Sequence, residues 1–299
     1  MKIIQSCWTK PFLQLGDSLK DTRLNGGWPA RKYNYFSWAL SCLQLRKYYK
    51  DVELVTDDLG SFLLIEKMKL PYSKVTLELN RLDDYNSGLW ALGKALAYSI
   101  QETPFLHVDN DVFIWNAFED HIEAASLVAQ NIENTVEGAA QTFNEVCSRF
   151  HHIPDCLKEL EGSKHIQYSN AGVLGGTDVS FFRNYTSEIF TFIHENQESI
   201  NEHIEDLNLA YVNVIYEQIL FNQLAKGGGN HITHLFPDVT DIPRAIGFFH
   251  ESKNFGGYMH CSGTFKKSRL IYELLEIKLK TLYPDYYELI VDHVESSEI

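Results

Sequence analysis

The sequence predicts an α/β fold with a largely parallel central sheet and helices on both faces. Short runs rich in Val, Ile and Leu alternate along the chain with longer segments whose apolar residues recur at helical spacing. Such alternation is typical of parallel strands joined by helical connections. The 299 residues contain no internal repeat and no linker-like tract, so we expect one large domain.

Strand and helix patterns alternate regularly in the first part of the chain. Pro104 ends the last helix of this part, and FLHVDNDVFIW after it is nearly all apolar and contains Val and Ile, as buried strands do. The predicted elements are, in order, the strand KIIQSCW, a helix over residues 33–49, the strand DVELVTD, the helix FLLIEKM, the strand KVTLEL, the helix SGLWALGKALAYSI and the strand FLHVDNDVFIW.

The remainder begins with a polar stretch, residues 117–165, which we predict to be mainly helical. We expect this stretch to be an excursion that returns to the sheet at HIQYSNAGVLGG. The elements expected here are the helices EDHIEAASLVAQNIEN, FNEVCSRFHHIPDCLKEL and NLAYVNVIYEQILFNQLAKGGG, the strand HITHLF and a helical C-terminal tail.

Charge and cysteine usage argue against several classes of protein. The formal net charge of −14 would repel a phosphate backbone, so we expect no nucleic-acid partner. The five cysteines include no CxxC pair, which indicates reduced thiols and neither a zinc site nor a disulfide framework. The sequence contains no signal-peptide pattern and no apolar run long enough to span a membrane. We therefore expect a cytoplasmic protein.

Two carboxylates interrupt the apolar run FLHVDNDVFIW. Asp109 and Asp111 are separated only by Asn110, and residues i and i+2 of a strand project to the same face, so we expect the two carboxylates to point together. Carboxylate oxygens are the ligands that Mg²⁺ and Mn²⁺ prefer. A solvated strand end would explain the same pair without a metal, and the motif alone leaves both interpretations open.

A second motif lies near the C-terminus, where His260, Gly263 and Lys266 form the pattern HxxGxxK. An imidazole can complete the coordination of a metal, and a glycine lets the backbone approach a diphosphate closely. A lysine neutralises phosphate charge. Together with the upstream DxD pair, this motif favours a site for a metal and a diphosphate.

Four segments in this order resemble the motifs of the GT-A fold glycosyltransferases: FLHVDNDVFI, SNAGVLGG, YEQILFNQLA and HCSGTFK. The likeness is greatest to the retaining group that includes the bacterial lipooligosaccharide galactosyltransferases and the glycogenins. It implies a single GT-A type domain over residues 1–299 with a Rossmann-like sheet. Its parts would be a nucleotide-binding half that ends in the DxD pair (1–115), a half for acceptor and sugar (116–270) and the helical tail (271–299).

The resemblance also implies which residues bind the metal and the diphosphate. Asp109, Asp111 and His260 would bind Mn²⁺ or Mg²⁺, while Gly263 and Lys266 would contact the diphosphate of a nucleotide-sugar donor. Because the leaving diphosphate gains negative charge during transfer, a cation and a lysine beside it would stabilise the transition state more than the ground state.

The transferred sugar would be contacted by two other segments. In SNAGVLGG, the resemblance implies Asn170 and Gly172, and a plain turn before a strand is the alternative for this segment. In YEQILFNQLA it implies Glu217 or Gln218, where the related enzymes more usually carry a DQD-like run. Glu217 would be a general base in an inverting reaction or would stabilise a cationic sugar in a retaining one.

Two further residues are expected to contact the donor. Lys94 precedes the DxD pair, where related transferases place a basic residue, and a solvated lysine is the alternative. Asp57 ends the strand DVELVTD, directly after LVT, where a carboxylate could contact the nucleotide base or the ribose.

The resemblance therefore implies a metal-dependent glycosyltransferase that moves a sugar, with retention, from a nucleotide-diphosphate donor to a glycan, lipid-linked, peptide or small-molecule acceptor. Two alternatives remain open. The first motif of the haloacid-dehalogenase-like phosphohydrolases is likewise a DxD pair flanked by apolar residues. In such an enzyme PDVTDIP would be the later acidic motif. A non-catalytic nucleotide-sugar binding protein would keep the same ligands. The oligomeric state is not indicated.

Overall fold

A computed structural model of the chain describes residues 1–13, 25–135, 137–203, 206–239 and 246–296. The strands in these ranges are β1 (Lys2–Cys7), β2 (Val52–Thr56), β3 (Lys74–Thr76), β4 (Phe105–Val108), β5 (Val112–Ile114), β6 (Leu127–Ala129), β7 (Ile132–Asn134), β8 (Gln167–Ser169), β9 (Val173–Gly176), β10 (Ile232–His234) and β11 (Tyr258–His260).

The α-helices in the same ranges are α1 (Lys10–Leu13), α2 (Arg31–Tyr48), α3 (Asp58–Ser61), α4 (Leu92–Ser99), α5 (Asp120–Glu123), α6 (Glu137–Arg149), α7 (Asp155–Lys158), α8 (Val179–Glu195), α9 (Gln197–His203), α10 (Leu209–Val214), α11 (Leu220–Gly227), α12 (Arg269–Leu282) and α13 (Pro284–Glu295). π-Helical turns occupy Phe62–Lys67 and Ile215–Ile219, and short 3₁₀ helices occupy Leu79–Leu82, Ser252–Phe255 and Gly263–Lys267.

Seven of these strands form one mostly parallel sheet in the order β10-β6-β9-β4-β1-β2-β3. Strands β1, β2 and β3 run parallel, as do β10 and β6, whereas β6 and β9 run antiparallel. Two antiparallel ribbons pair β11 with β5 and β7 with β8. The predicted α/β class with a mostly parallel sheet and C-terminal helices is confirmed.

The chain divides into two compact units. Unit 1 comprises Met1–Ser87, Val108–Phe118 and Asp241–Ile299, and unit 2 comprises Gly88–His107 and Glu119–Thr240.

Helix α2 lies in the core of unit 1. Most of its residues are buried, and they include the polar side chains of Asn34, Ser37, Ser41 and Gln44. The C-terminal helices pack against it, with ring centroids 4.7 Å apart for Tyr33 and Tyr272 and 5.3 Å apart for Phe36 and Tyr287. Pro284 is the first residue of α13 and separates it from α12, because proline is tolerated at the first turn of a helix but not inside one. The predicted tail is therefore part of the core of this unit.

Unit 2 is organised around aromatic packing between β4, α4 and α8. The ring centroids of Phe105 and Phe182 are 4.9 Å apart, and those of Tyr98 and Phe105 are 6.0 Å apart. Gly175 in β9 lets the backbone of that strand approach β4, since a Cβ there would lie 2.2 Å from the carbonyl oxygen of Phe105. The predicted strand at VLGG is confirmed.

Three predicted elements are wrong. FNEVCSRFHHIPDCLKEL is not one helix, because α6 ends at Arg149 and α7 begins only at Asp155, after Pro154. FLHVDNDVFIW is not one strand, because β4 ends at Val108 and β5 begins at Val112. EDHIEAASLVAQNIEN is not one helix, because it forms the single turn α5 and then the strands β6 and β7. The residues of β6 are fully buried, and β6 is a strand of the central sheet. The stretch 117–165 is therefore not wholly an excursion from the sheet. Strands of three residues are too short for periodicity to reveal them.

No helix in the described ranges has the length and apolarity needed to cross a membrane. Parts of three predicted segments lie outside the described residues: residue 136 of the polar stretch 117–165, residues 240–243 of PDVTDIP, and residues 297–299 of the tail.

Candidate functional site

The DxD pair lies in a tight turn between β4 and β5. The amide of Val112 donates a hydrogen bond of 3.1 Å to the carbonyl of Asp109, which closes the turn. We predicted that the two carboxylates converge because alternate residues of a strand share a face, and this explanation is wrong. They converge because both lie in the turn. Asp111 is buried and Asp109 is half-buried.

His260 is brought to this turn by strand pairing. Strand β11 runs antiparallel to β5 with His260 opposite Val112, the residue after Asp111. The Nε2 atom of His260 lies 3.4 Å from Oδ1 of Asp111. One ligand atom from each of Asp109, Asp111 and His260 lies within 4.8 Å of the others, so these side chains form a cluster that can hold one metal ion.

The donor set of this cluster fits a divalent cation. Carboxylates suit Mg²⁺ and Mn²⁺, and an imidazole nitrogen is a ligand for first-row transition metals, so Mn²⁺ is compatible with all three groups. His260 is buried, and among the described residues its Nδ1 has no hydrogen-bond partner. A buried imidazole nitrogen without a partner is costly unless that nitrogen itself binds a ligand.

Lys266 reaches the same cluster from the 3₁₀ helix that follows β11. Its Nζ lies 2.7 Å from Oδ2 of Asp111, donates to the carbonyl of Gly26 at 2.9 Å, and stands 5.7 Å from the ring centroid of Trp28. Gly27 has a φ of +85°, and a Cβ there would lie 3.2 Å from Cδ of Lys266. The loop before α2 therefore leaves room for this lysine.

The electrostatics of the cluster keep Asp111 ionised. Burial by itself would raise the pKa of this carboxyl, but the positive charge of Lys266 and the neighbouring His260 hold its pKa well below the ordinary value. The same negative charge acts on Tyr258, because burial and then Asp109 and Asp111 raise the pKa of its hydroxyl. Asp111 is thus a charged carboxylate across the physiological pH range.

Gly263 begins the 3₁₀ helix that carries Lys266. Its φ of +54° lies in the left-handed region that glycine adopts without strain, and a Cβ built there meets no described atom within 4 Å. The backbone at Gly263 is therefore open to approach by a ligand.

A second polar cluster lies inside unit 2, where Lys94 and Glu217 form a buried ion pair of 2.7 Å. The Nζ of Lys94 also donates to the carbonyl of Ala171 at 3.0 Å. Tyr98 and Gln218 donate to the two carboxylate oxygens of Glu217 at 3.4 and 3.5 Å. Glu217 belongs to the π-helical turn between α10 and α11, and π-bulges of this kind recur at functional sites.

The side chain of Asn170 makes hydrogen bonds that order the loop before β9. The Oδ1 of Asn170 accepts from the amide of Gly172 at 2.9 Å, and its Nδ2 donates to Glu133 at 3.2 Å. Because Lys94 holds the carbonyl of Ala171 between these residues, the predicted sugar-contacting residues of SNAGVLGG and YEQILFNQLA are linked through one lysine.

We expect Glu217→Gln to lower the free energy of unfolding by about 3–5 kcal/mol, because it leaves the Lys94 ammonium buried without its counterion. The double variant Lys94→Met, Glu217→Gln should recover much of that loss. Urea unfolding would measure both, with Glu195→Gln in the exposed end of α8 as the control for losing one carboxylate. Equal losses in the single and double variants would contradict this pairing.

Asp57 lies at the ends of β1 and β2, and its hydrogen bonds join it to residues other than Asp109, Asp111 and His260. Its Oδ2 accepts from the amide and the hydroxyl of Thr9 at 2.6 and 2.8 Å, and its Oδ1 accepts from Gly60 at 2.7 Å. Both carboxylate oxygens are therefore engaged within unit 1. Its predicted contact with the base or the ribose stays a prediction.

Sequence reasoning missed the polar residues of α2 that contact the DxD turn. Asn34, Ser37 and Ser41 recur at i, i+3 and i+7 among aromatic and aliphatic residues of the helix, and all three are buried. That spacing was a usable signal, because buried polar groups need partners. It also missed Gly26, whose carbonyl accepts from Lys266.

The chain matches one protein family over residues 1–293, the DUF6734 family, described as a family of unknown function. The chain belongs to the DUF6734 family. No curated protein matches this DUF6734 chain in sequence.

Among solved structures, the DUF6734 chain is similar to the crystal structure of the glycosyltransferase GlyE of Streptococcus pneumoniae TIGR4. The TM-score is 0.44 and the sequence identity is 11%. The match covers 99% of the DUF6734 chain, which spans 64% of the length of the GlyE chain.

Proposed function

We propose that this protein is a metal-dependent glycosyltransferase that takes a sugar from a nucleotide-diphosphate donor. The observation that carries the proposal is the cluster of Asp109, Asp111 and His260 with Lys266 in ion contact. Three protein ligands leave coordination positions open for oxygen atoms of a substrate, and a lysine beside them suits a phosphate group.

The chemistry follows from where charge develops during transfer. A divalent cation held by Asp109, Asp111 and His260 would neutralise charge on the diphosphate oxygens. Lys266 can turn its ammonium from Asp111 to the leaving phosphate, and the open backbone at Gly263 lets the diphosphate approach. Fixed positive charge at the leaving group lowers the barrier, because that charge grows towards the transition state.

As the resemblance implies, we propose that Asn170, Gly172 and Gln218 contact the transferred sugar. Lys94 and Asp57 would contact other parts of the donor. Within unit 2, both carboxylate oxygens of Glu217 already have partners: Oε1 lies 2.7 Å from Nζ of Lys94, and Oε2 accepts from Gln218 at 3.5 Å. We therefore favour for Glu217 the stabilisation of a cationic sugar over the role of general base. Retention is expected from the likeness of the HxxGxxK motif to that of the retaining enzymes.

Thermal shift with a panel of nucleotide sugars, with and without Mn²⁺, tests this function. We expect one nucleoside diphosphate and its sugar to raise the Tm only with Mn²⁺. Ligand at 100 times its Kd stabilises a protein by about 2.7 kcal/mol. For domains of 150–250 residues, each kcal/mol raises the Tm by about 2–4 °C. A donor that stabilises should also be hydrolysed slowly or transferred, with release of the nucleoside diphosphate.

The other outcomes separate the alternatives. Stabilisation without turnover would favour a nucleotide-sugar binding protein. Phosphatase activity on simple phosphate esters, together with no response to nucleotide sugars, would favour the phosphohydrolase. No shift with any nucleotide or nucleotide sugar would contradict the proposal.

A further inference from the structure

The break between β4 and β5 places a run of backbone carbonyls, Val108 to Val112, in a turn inside unit 1. Buried carbonyls without a donor cost free energy, so each must find one. Val112 donates to the carbonyl of Asp109 within the turn, and the amide of Cys261 donates to the carbonyl of Asp111 at 2.9 Å. The carbonyls of Val108, Asn110 and Val112 are satisfied from other elements.

Helix α2 supplies two of the remaining donors. The hydroxyl of Ser37 donates to the carbonyl of Asn110 at 2.8 Å, and the hydroxyl of Ser41 donates to that of Val112 at 2.7 Å. Asn34 lies one turn earlier, and its Oδ1 accepts from the Asn110 side chain at 3.4 Å. We call Asn34, Ser37 and Ser41 the polar seam of α2.

Strand β1 completes the arrangement through Gln5. Its amide nitrogen donates to the carbonyl of Val108 at 3.2 Å and to the Ser41 hydroxyl at 3.0 Å, and its amide oxygen accepts from Tyr72 at 2.8 Å. Every carbonyl from Val108 to Val112 therefore has a donor. Gln5 and the seam residues Ser37 and Ser41 are buried, so these hydrogen bonds are shielded from water.

The seam also contacts the loop that holds Lys266. Gly26 packs so closely on Asn34 that a Cβ there would lie 2.4 Å from the Asn34 Oδ1. The carbonyl of Gly26 accepts from Lys266. One helix thus supports both the turn that bears the carboxylates and the backbone that receives the lysine.

From these contacts we infer that the polar seam of α2 positions the metal-binding carboxylates. This inference rests on the proposed function. The hydroxyls of Ser37 and Ser41 donate to backbone carbonyls of the turn. The seam acts on the backbone between Asp109 and Asp111, and so sets the direction in which both carboxylates leave the turn. Residues that orient metal ligands in this way typically change metal affinity by about 10–100-fold when replaced.

The test is a titration of the full chain with Mn²⁺ alone, in which the EPR signal of the free ion measures how much Mn²⁺ is unbound. Ser37→Ala and Ser41→Ala should each weaken Mn²⁺ binding by about tenfold or more without changing the number of ions bound. Alanine is the best helix former, so α2 itself should persist. The matched control is Cys42→Ala, which removes one buried heavy atom from the same helix and should leave Mn²⁺ affinity unchanged.

Two different failures would be told apart. If the wild-type chain binds Mn²⁺ and both serine variants bind it as tightly as Cys42→Ala does, with a similar loss of Tm, the seam is only structural and the inference is overturned. If the wild-type chain binds no Mn²⁺, the metal site itself is overturned and the seam with it.

Discussion

Replacing Asp111 with Asn should lower the affinity for Mn²⁺ by more than about 100-fold, which exceeds the 10–100-fold typical of losing a residue that only supports a ligand. Asp111 is the buried carboxylate of the cluster, and Lys266 and His260 hold its pKa low so that it is charged. The amide of Asn has the same shape without that charge. Isothermal titration with Mn²⁺, and turnover once a donor is found, would measure the loss.

This variant carries a risk for folding, because it leaves Lys266 without the partner that it contacts at 2.7 Å. Removing one member of a buried pair costs about 3–5 kcal/mol. Asp109→Asn is therefore the companion variant, since Asp109 is only half-buried and should lose Mn²⁺ affinity at little cost in stability. Asp84→Asn, an exposed carboxylate of the same unit, controls for net charge. Undiminished Mn²⁺ binding in both Asp109→Asn and Asp111→Asn would remove the metal assignment.

Lys266→Met should have opposite effects on the binding of Mn²⁺ and on the binding of the nucleoside diphosphate. Without nucleotide, it should tighten Mn²⁺ binding by about tenfold or more, because two positive charges about 4 Å apart repel by roughly 4 kcal/mol near a protein surface. With Mn²⁺ saturating, it should weaken binding of the nucleoside diphosphate by about 10–100-fold, since a hydrogen bond to a charged group contributes about 1.5–3 kcal/mol. Two titrations, Mn²⁺ alone and then nucleotide with Mn²⁺, measure the pair of effects.

Lys267→Met is the matched control, because Lys267 is the next residue and is exposed. It should change neither titration beyond the small effect of one surface charge. If Lys266→Met weakened Mn²⁺ binding as well, the lysine would be a structural support of the cluster, and its proposed role at the diphosphate would lose its argument.

Long periodic segments made much of the fold predictable. The strand at β1, the helix over 33–49 and the C-terminal helices were all expected. The structure has them at Lys2–Cys7, Arg31–Tyr48, and Arg269–Leu282 with Pro284–Glu295. Each is long enough, or apolar enough, for its pattern to stand out. The strands β6 and β7 were missed, because three residues cannot display a period.

The DxD turn shows a different limit. FLHVDNDVFIW is apolar on both sides of its two carboxylates, which favours one continuous strand. The chain instead breaks there, because β5 pairs with β11 and the seam of α2 supplies donors for carbonyls of the turn. Those partners lie far away in sequence, so no local pattern could indicate them.

The sequence by itself determined the alternation of strands and helices and the chemistry available at the candidate site: two carboxylates, an imidazole, a glycine and a lysine in DxD and HxxGxxK motifs. Only the tertiary structure decided that Asp109, Asp111 and His260 converge within 4.8 Å, that Lys266 neutralises Asp111, and that Lys94 pairs with Glu217. The physical reason is that residue type and spacing are local properties of the chain. The hydrogen-bond and charge partners of a buried group are chosen by packing between distant segments.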